Sequence, residues 1–217
     1  MESDSTMFFR QTPSESPRPS TEDELVALVA KVNFPTKYGQ FELYGFSEAG
    51  TEKVHTVMVK GEIDGMQECP VRVHSECHTG DVLGSMRCDC GEQLEASLKY
   101  IAGEGRGVLI YMKQEGRGIG LLNKLKAYSL QDEGLDTVEA NEFLGFPAEA
   151  RDYSASAAII RALGIQSVVL LTNNPDKVTK LSEQGIHIVR REPVITEPNR
   201  HNQFYLETKK LRMGHLY

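Results

Sequence analysis

Residues 39–46, GQFELYGF, alternate apolar and polar positions with the period of a half-buried strand. Residues 55–60 and 71–74 carry shorter versions of the same alternation, and ordered structure is expected to begin near residues 25–32. The first half is therefore β-rich. From residue 108 the rhythm changes. Residues 108–112 form a compact apolar strand, and residues 120–133 place Leu121, Leu122, Leu125, Tyr128 and Leu130 at helical spacing. An alanine-rich helix is expected over residues 154–163, closed by Gly164. A strand follows at 168–171, then a helix over 175–184 with Asn174 as N-cap and Pro175 in its first position. Gly185 ends that helix, and another strand is read at 186–189. This order predicts an α/β domain, an α/β/α layering around a mixed sheet. Residues 1–22 are rich in Ser, Pro, Glu and Thr and have no hydrophobic period, so they are expected to be a disordered extension. Residues 23–217 are expected to form a single domain.

Composition narrows the classes of function. The chain has 217 residues, of which 40% are hydrophobic and 25% charged, enough for a substantial core. No stretch approaches the roughly 18 apolar residues of a membrane span. The N-terminus lacks a basic segment followed by an apolar run, so a cytoplasmic protein without a membrane partner is expected. The net charge of −7 argues against a nucleic-acid partner, which calls for a basic stripe. An anionic ligand would have to be held by a local cluster of cations.

The four cysteines, Cys69, Cys77, Cys88 and Cys90, all fall in the first half. In a reducing compartment such clustering points to metal more than to disulfides. Cys77, Cys88 and Cys90 form a C-x10-C-x-C pattern, and zinc takes thiolate and imidazole ligands. Structural zinc closes with four protein ligands, whereas catalytic zinc keeps three and leaves a position open. Cys69, His74 and His78 are the alternatives for a fourth ligand. Residues 71–74 read as strand, and eight extended steps from Cys69 to Cys77 span about 26 Å, so Cys69 could join only if the chain folded back. Asp89 and Glu92 have capping-box spacing, and Leu94, Leu98 and Ile101 then mark one helical face. The cysteine pair is thereby set at a helix N-terminus beside Arg87, where thiolate is favoured.

Three polar loops have the character of phosphate sites. Residues 114–120, QEGRGIG, join a strand to a helix with glycines that admit a ligand close to the backbone. They lack the Gly-Lys-Ser/Thr ending of a Walker A loop. Residues 172–177, TNNPDK, make a second strand-to-helix passage. The third is the strand before the first metal cysteine, where alternation sets Arg72, His74 and Glu76 on one face.

Taken together, RVHSEC, RCDCGEQLE, QEGRGIGLLNKLKAYSLQDEG, DTVEAN, LGF, ARDY, LLTNNPDK and YLETKKLRMGHL resemble the GTP cyclohydrolase II family in its stand-alone form, from about residue 30 to 216. The resemblance implies a catalytic domain that hydrolyses GTP at C8 of guanine and releases formate and pyrophosphate at the start of riboflavin synthesis. It implies a zinc ion on Cys77, Cys88 and Cys90, magnesium with the triphosphate, and a homodimer. It implies nucleotide contacts from Arg72, Val73, His74, Ser75, Glu76, Gln93, Glu115, Gly116, Arg117, Thr137, Thr172 and Lys177, with Glu115 on the guanine edge and Arg117 on phosphate. Arg151 would act at the α-phosphate and Tyr128 near the base. The family has Asp two residues before that arginine as a proton acceptor, and this chain has Glu149, a carboxylate with one more methylene. Same-family chemistry that stops at the formylated product, and a non-catalytic zinc-stabilised nucleotide-binding module, are the alternative functions.

Overall fold

The computed structural model describes residues 25–147 and 149–216, so the expected disordered extension lies outside the described residues. A seven-stranded sheet has the spatial order β1-β2-β3-β5-β4-β6-β7. Strands β1 (Val26–Thr36), β2 (Gly39–Glu48) and β3 (Val54–Lys60) form an antiparallel meander, and β3 pairs antiparallel with β5 (Gly107–Met112). Strand β4 (Cys69–Ser75) lies parallel between β5 and β6 (Val168–Leu171), and β7 (Ile188–Glu192) extends the parallel half. The sheet is mixed, as the sequence predicts.

Side-chain alternation divides the sheet into two apolar faces. On one face Val57, Val59, Val71, Val73, Val108 and Ile110 pack against Ala157, Ile159 and Ile160 of helix α4 (Ser154–Ala162) and Leu181 of α5 (Pro175–Glu183). On the other, Phe41 and Leu109 meet Leu98 and Ile101 of α1 (Cys90–Glu104). This is the α/β/α layering. Helices α2 (Leu121–Asp132), α3 (Thr137–Phe143) and α6 (Gln203–Met213) complete the fold, and α6 packs beside α3.

The expected elements are present with shifted ends, β7 beginning two residues late. Helices α3 and α6 have no counterpart in the pattern reading. The capping box expected at Asp89 does not form, because its side chain makes no cap hydrogen bond. That carboxylate faces inward to Lys209 Nζ and Gln93 Nε2. The capping box that does form is at Asp136 and Glu139, where each side chain takes the other's backbone N–H.

The chain leaves β4 through α1 to β5 on one side, then crosses to β6 on the other. Such a reversal opens a crevice beyond the carboxyl ends of the strands, where ligands of parallel sheets bind. Here those ends are Ser75, Met112 and Leu171.

Candidate metal centre and nucleotide cleft

Just past the end of β4, Cys77 enters a single wide helical turn, His78–Val82. Cys88 follows, and Cys90 opens α1. The three sulfurs lie within 4.8 Å of one another, with Cys77 and Cys88 Sγ 3.7 Å apart. Two thiolates each about 2.3 Å from a tetrahedral zinc would stand about 3.8 Å apart, so the sulfur set fits that ion. Gly80 permits the convergence, since a Cβ there would fall 2.8 Å from Cys88 Sγ and 3.2 Å from Cys77 Sγ.

No fourth Cys, His, Asp or Glu joins this group among the described residues. Cys69 opens β4 while Cys77 lies beyond its other end, so the intervening strand separates them. Burial pushes the Cys69 thiol up to about 12. His74 turns its Nε2 to Asp81, at 3.0 Å. His78 approaches the site by its backbone, whose N–H donates to Glu115 Oε2 at 2.6 Å.

Asp81 locks the first sulfur. Its carboxylate accepts from the Cys77 N–H (3.0 Å), the Tyr111 hydroxyl (2.8 Å) and His74. Lys124 of α2 donates to Cys77 Sγ at 3.0 Å and to Glu115 Oε1 at 2.8 Å. Burial opposes its charge, but the Cys77 sulfur and Glu115 carboxylate outweigh that and raise its pKa. Hydrogen bonds from the neighbouring cysteines and Lys124 favour the thiolate at Cys77. The Tyr128 hydroxyl lies 3.2 Å from Thr79 Oγ1, beside the sulfurs, and Arg87 covers its ring at 5.0 Å.

The cleft above the sulfurs is cationic. Arg72 is anchored by Leu171 O (3.0 Å) and Gln93 Oε1 (2.7 Å). Lys177, on the first turn of α5, donates to Val73 O at 2.6 Å. Burial, with Arg72 and Arg151 nearby, lowers its pKa well below that of a free lysine. Gly116 and Arg117 both take left-handed backbone, φ +62° and +60°. That turn is tied to the next loop by the Ala150 N–H donating to Arg117 O at 3.2 Å. There the Glu149 carboxylate grips Arg151 through its backbone N–H (2.9 Å), its Nε (2.7 Å) and its Nη2. Burial disfavours the Glu149 anion, but Arg151 outweighs burial and lowers its pKa.

Arg72, His74, Ser75, Glu76, Gln93, Glu115, Gly116, Arg117, Thr137, Thr172, Lys177, Tyr128 and Arg151 all line one cleft with the three cysteines. Two expected site residues do not. The Val73 side chain is fully buried in the core, as strand alternation dictates, and only its carbonyl serves the site, by holding Lys177. Glu149 stands behind Arg151. Arg72 Nε, His74 Nδ1 and Ser75 Oγ are buried with no hydrogen-bond partner in the structure. Orphan polar atoms are rare in native proteins, and three of them near the carboxyl end of one strand suit a ligand.

Pattern reading misses Lys124, Asp81 and the α6 residues Tyr205 and Lys209. Asp81 had a faint signal, a carboxylate four residues after Cys77. Lys209 lay in the YLETKKLRMGHL motif but had no signal of its own role, since its partner Asp89 lies 120 residues away.

Fold and site define an α/β protein with three convergent thiols, a set that could hold a metal ion, beneath a cleft rich in cationic side chains. Comparison with known sequences gives the particular family. Residues 27–193 match the GTP cyclohydrolase II family, and the chain belongs to it. The GTP cyclohydrolase-2 of Picrophilus torridus is 52% identical over 193 residues, covering 89% of this chain and 100% of that protein. That of Citrobacter koseri is 55% identical over 188 residues, covering 87% and 96%. The riboflavin biosynthesis protein RibBA of Chlorobium phaeovibrioides is 52% identical over 193 residues, 89% of this chain but 47% of that longer protein. Among the described residues no helix is long and apolar enough to cross a membrane.

Proposed function

We propose that this chain is a zinc-dependent GTP cyclohydrolase that opens the imidazole ring of GTP at C8, releases formate and pyrophosphate, and leaves a diaminopyrimidinone ribosylamine phosphate for riboflavin synthesis. The observation that carries this reading is the convergence of Cys77, Cys88 and Cys90 with Arg72, Arg117, Arg151 and Lys177 in one cleft. Zinc on the three sulfurs would supply Lewis-acid activation for hydrolysis.

The protein's own groups bind and orient the nucleotide. Arg117 and Lys177 suit the triphosphate, with magnesium accompanying it. Glu115 suits the N1–H and 2-amino edge of guanine. Its Oε1 already accepts from Gly116 N–H and Lys124, and its Oε2 from His78 N–H. A carboxylate has about four acceptor sites. A bidentate grip on guanine takes one on each oxygen, so Lys124 leaves Oε1 and keeps its bond to Cys77. Adenine lacks that donor pair and would leave the buried carboxylate unsatisfied.

Arg151 acts at the α-phosphate as pyrophosphate departs. Glu149 orients that guanidinium, and it becomes a competent proton acceptor only once phosphate draws the arginine away, because the ion pair weakens it as a base. Tyr128 works near the base, held by Thr79 at the sulfur cluster. All four thiols are free, which suits a reducing cytoplasm. Leu122 and Leu125 on α2, and Leu83 and Met86 in the loop between Cys77 and Cys88, are exposed apolar side chains that a homodimer could cover.

The test is a full product balance from purified protein with GTP and magnesium. Equal release of formate and pyrophosphate per GTP consumed is expected. A ring-opened product that keeps its formyl carbon would make the enzyme one that stops early. GTP binding without turnover would make it a nucleotide-binding module.

A further inference from the structure

Asp89 sits between two of the metal cysteines and its side chain has no exposure to solvent. A carboxylate so buried needs a countercharge, and when Cys88 and Cys90 ionise its nearest chain neighbours are anions too. The cation in contact with it comes from the far end of the chain. Lys209 Nζ of α6 donates to Asp89 Oδ1 at 2.9 Å and lies 4.4 Å from the Tyr205 ring centroid. The other oxygen, Oδ2, accepts from Gln93, whose carbonyl oxygen receives Arg72 Nη2. One chain of bonds thus joins α6, the metal turn and a cleft arginine.

Helix α6 is fastened at two further points. Arg212 Nη1 meets Asp136 Oδ2 at 2.8 Å, and the Leu216 N–H donates to Asn173 O at 2.9 Å. The helix lies past residues 27–193, in the YLETKKLRMGHL segment that also resembles the family.

We propose that α6 is a working part of the metal centre, with Lys209 as the positioning residue that holds the Cys88-Asp89-Cys90 turn in its ligating shape. Without the ammonium, Asp89 would have to turn toward water or repel the thiolates, and either change moves two of the three sulfurs. Docking of α6 and binding of zinc therefore strengthen each other, and linkage makes that coupling reciprocal. The inference rests on the zinc reading above and adds to it a role for the C-terminal helix.

Two measurements on the full chain test it. Chelator competition gives the zinc affinity of wild type, Lys209→Met, Lys209→Arg and the double variant Asp89→Asn/Lys209→Met. Lys209→Met should bind zinc roughly 10-fold or more weakly, the usual size of an outer-sphere loss. Lys209→Arg should keep most of the affinity, and the double variant should recover part of it, because no unpaired charge remains buried. Hydrogen exchange on wild type should show residues 203–213 better protected with zinc than after chelation, with α4 unchanged. Wild-type affinity in folded Lys209→Met, or α6 exchange indifferent to zinc, would overturn the coupling. If Lys209→Met does not fold, the wild-type exchange experiment decides alone. Wild type that binds no zinc would instead sink the zinc reading, and the coupling with it.

Discussion

Strands β1 to β3 and strands β4 to β7 share one sheet, yet only the second group carries chemistry. The antiparallel strands are joined by tight connections; β3 shows half-exposed alternation, eBiBiBi, and β1 at the edge is mostly exposed. None of their residues lines the cleft. Strand β4 has six buried residues in a row, and β6 is buried throughout. Parallel strands need helical crossovers, so each carboxyl end runs into a loop and then a helix start. Ser75, Met112 and Leu171 therefore deliver the sulfur turn, the Glu115–Gly118 turn and the Asn174 cap to one edge. The antiparallel half supplies apolar area and little else, and the difference separates residues kept for stability from residues kept for reaction.

Variants can break or sharpen that division. The largest effect should come from Cys88→Ser, which removes one of three sulfurs. Zinc content by elemental analysis should collapse, and formate release should fall to background. Full turnover by a metal-free Cys88→Ser protein would end the metal mechanism. Arg151→Ala should slow pyrophosphate release by about 100-fold, the scale of losing one preorganised charge donor. Release at the wild-type rate would remove Arg151 from that step.

On the other side of the division, Phe46→Ala truncates a side chain that is 1% exposed in the core. It should cost about 3–5 kcal/mol in denaturant unfolding. The folded fraction should keep its zinc stoichiometry, and a loss of zinc would show that the two halves are not separable.

A smaller and pH-dependent effect is expected at His55, on β3. The ring is fully buried, Nδ1 accepts the Lys113 N–H at 3.2 Å, and Nε2 lies 3.0 Å from Glu48. Burial is the main cause of its lowered pKa, with Glu48 opposing it in part. The unfolded chain thus takes up this proton more readily than the folded one. Stability is fully present above about pH 6.5, the ordinary histidine value, and declines as pH falls toward the lower folded value. His55→Gln should flatten that decline in unfolding curves measured below pH 6.5, and an unchanged slope would assign the acid sensitivity elsewhere.

The same division explains what the sequence made legible. Strands β2 and β3 and the compact β5 and β6 announce themselves by period and by β-branched residues. The Asn174 cap and Pro175 are local signals, and both were readable. Helix α3 is short and largely polar, so its one clear mark was the Asp136–Glu139 box, while the competing Asp89–Glu92 spacing belonged to a carboxylate buried for another purpose. Strand β7 carries Arg190, Arg191 and Glu192 near the sheet edge, which blurs its apolar pattern. The cysteine set was visible from spacing, but Lys124 and Lys209 reach the site by tertiary contact alone. Val73 shows the opposite limit, where a contiguous motif includes a residue whose side chain lies in the core and whose carbonyl holds Lys177.

Arg117 holds a φ of +60° in a turn where its neighbour, Gly116, holds nearly the same angle at ease. For a residue with a Cβ that conformation costs on the order of 1 kcal/mol. A selection for thermal robustness alone would drift toward glycine at position 117. Such a drifted protein would unfold no sooner and, on the role proposed for Arg117, would hold the triphosphate less tightly, since the guanidinium goes with the strain. Melting temperature and KM of Arg117→Gly should therefore part company, and a stabilised library screened only by heat would enrich for enzyme that binds its substrate weakly.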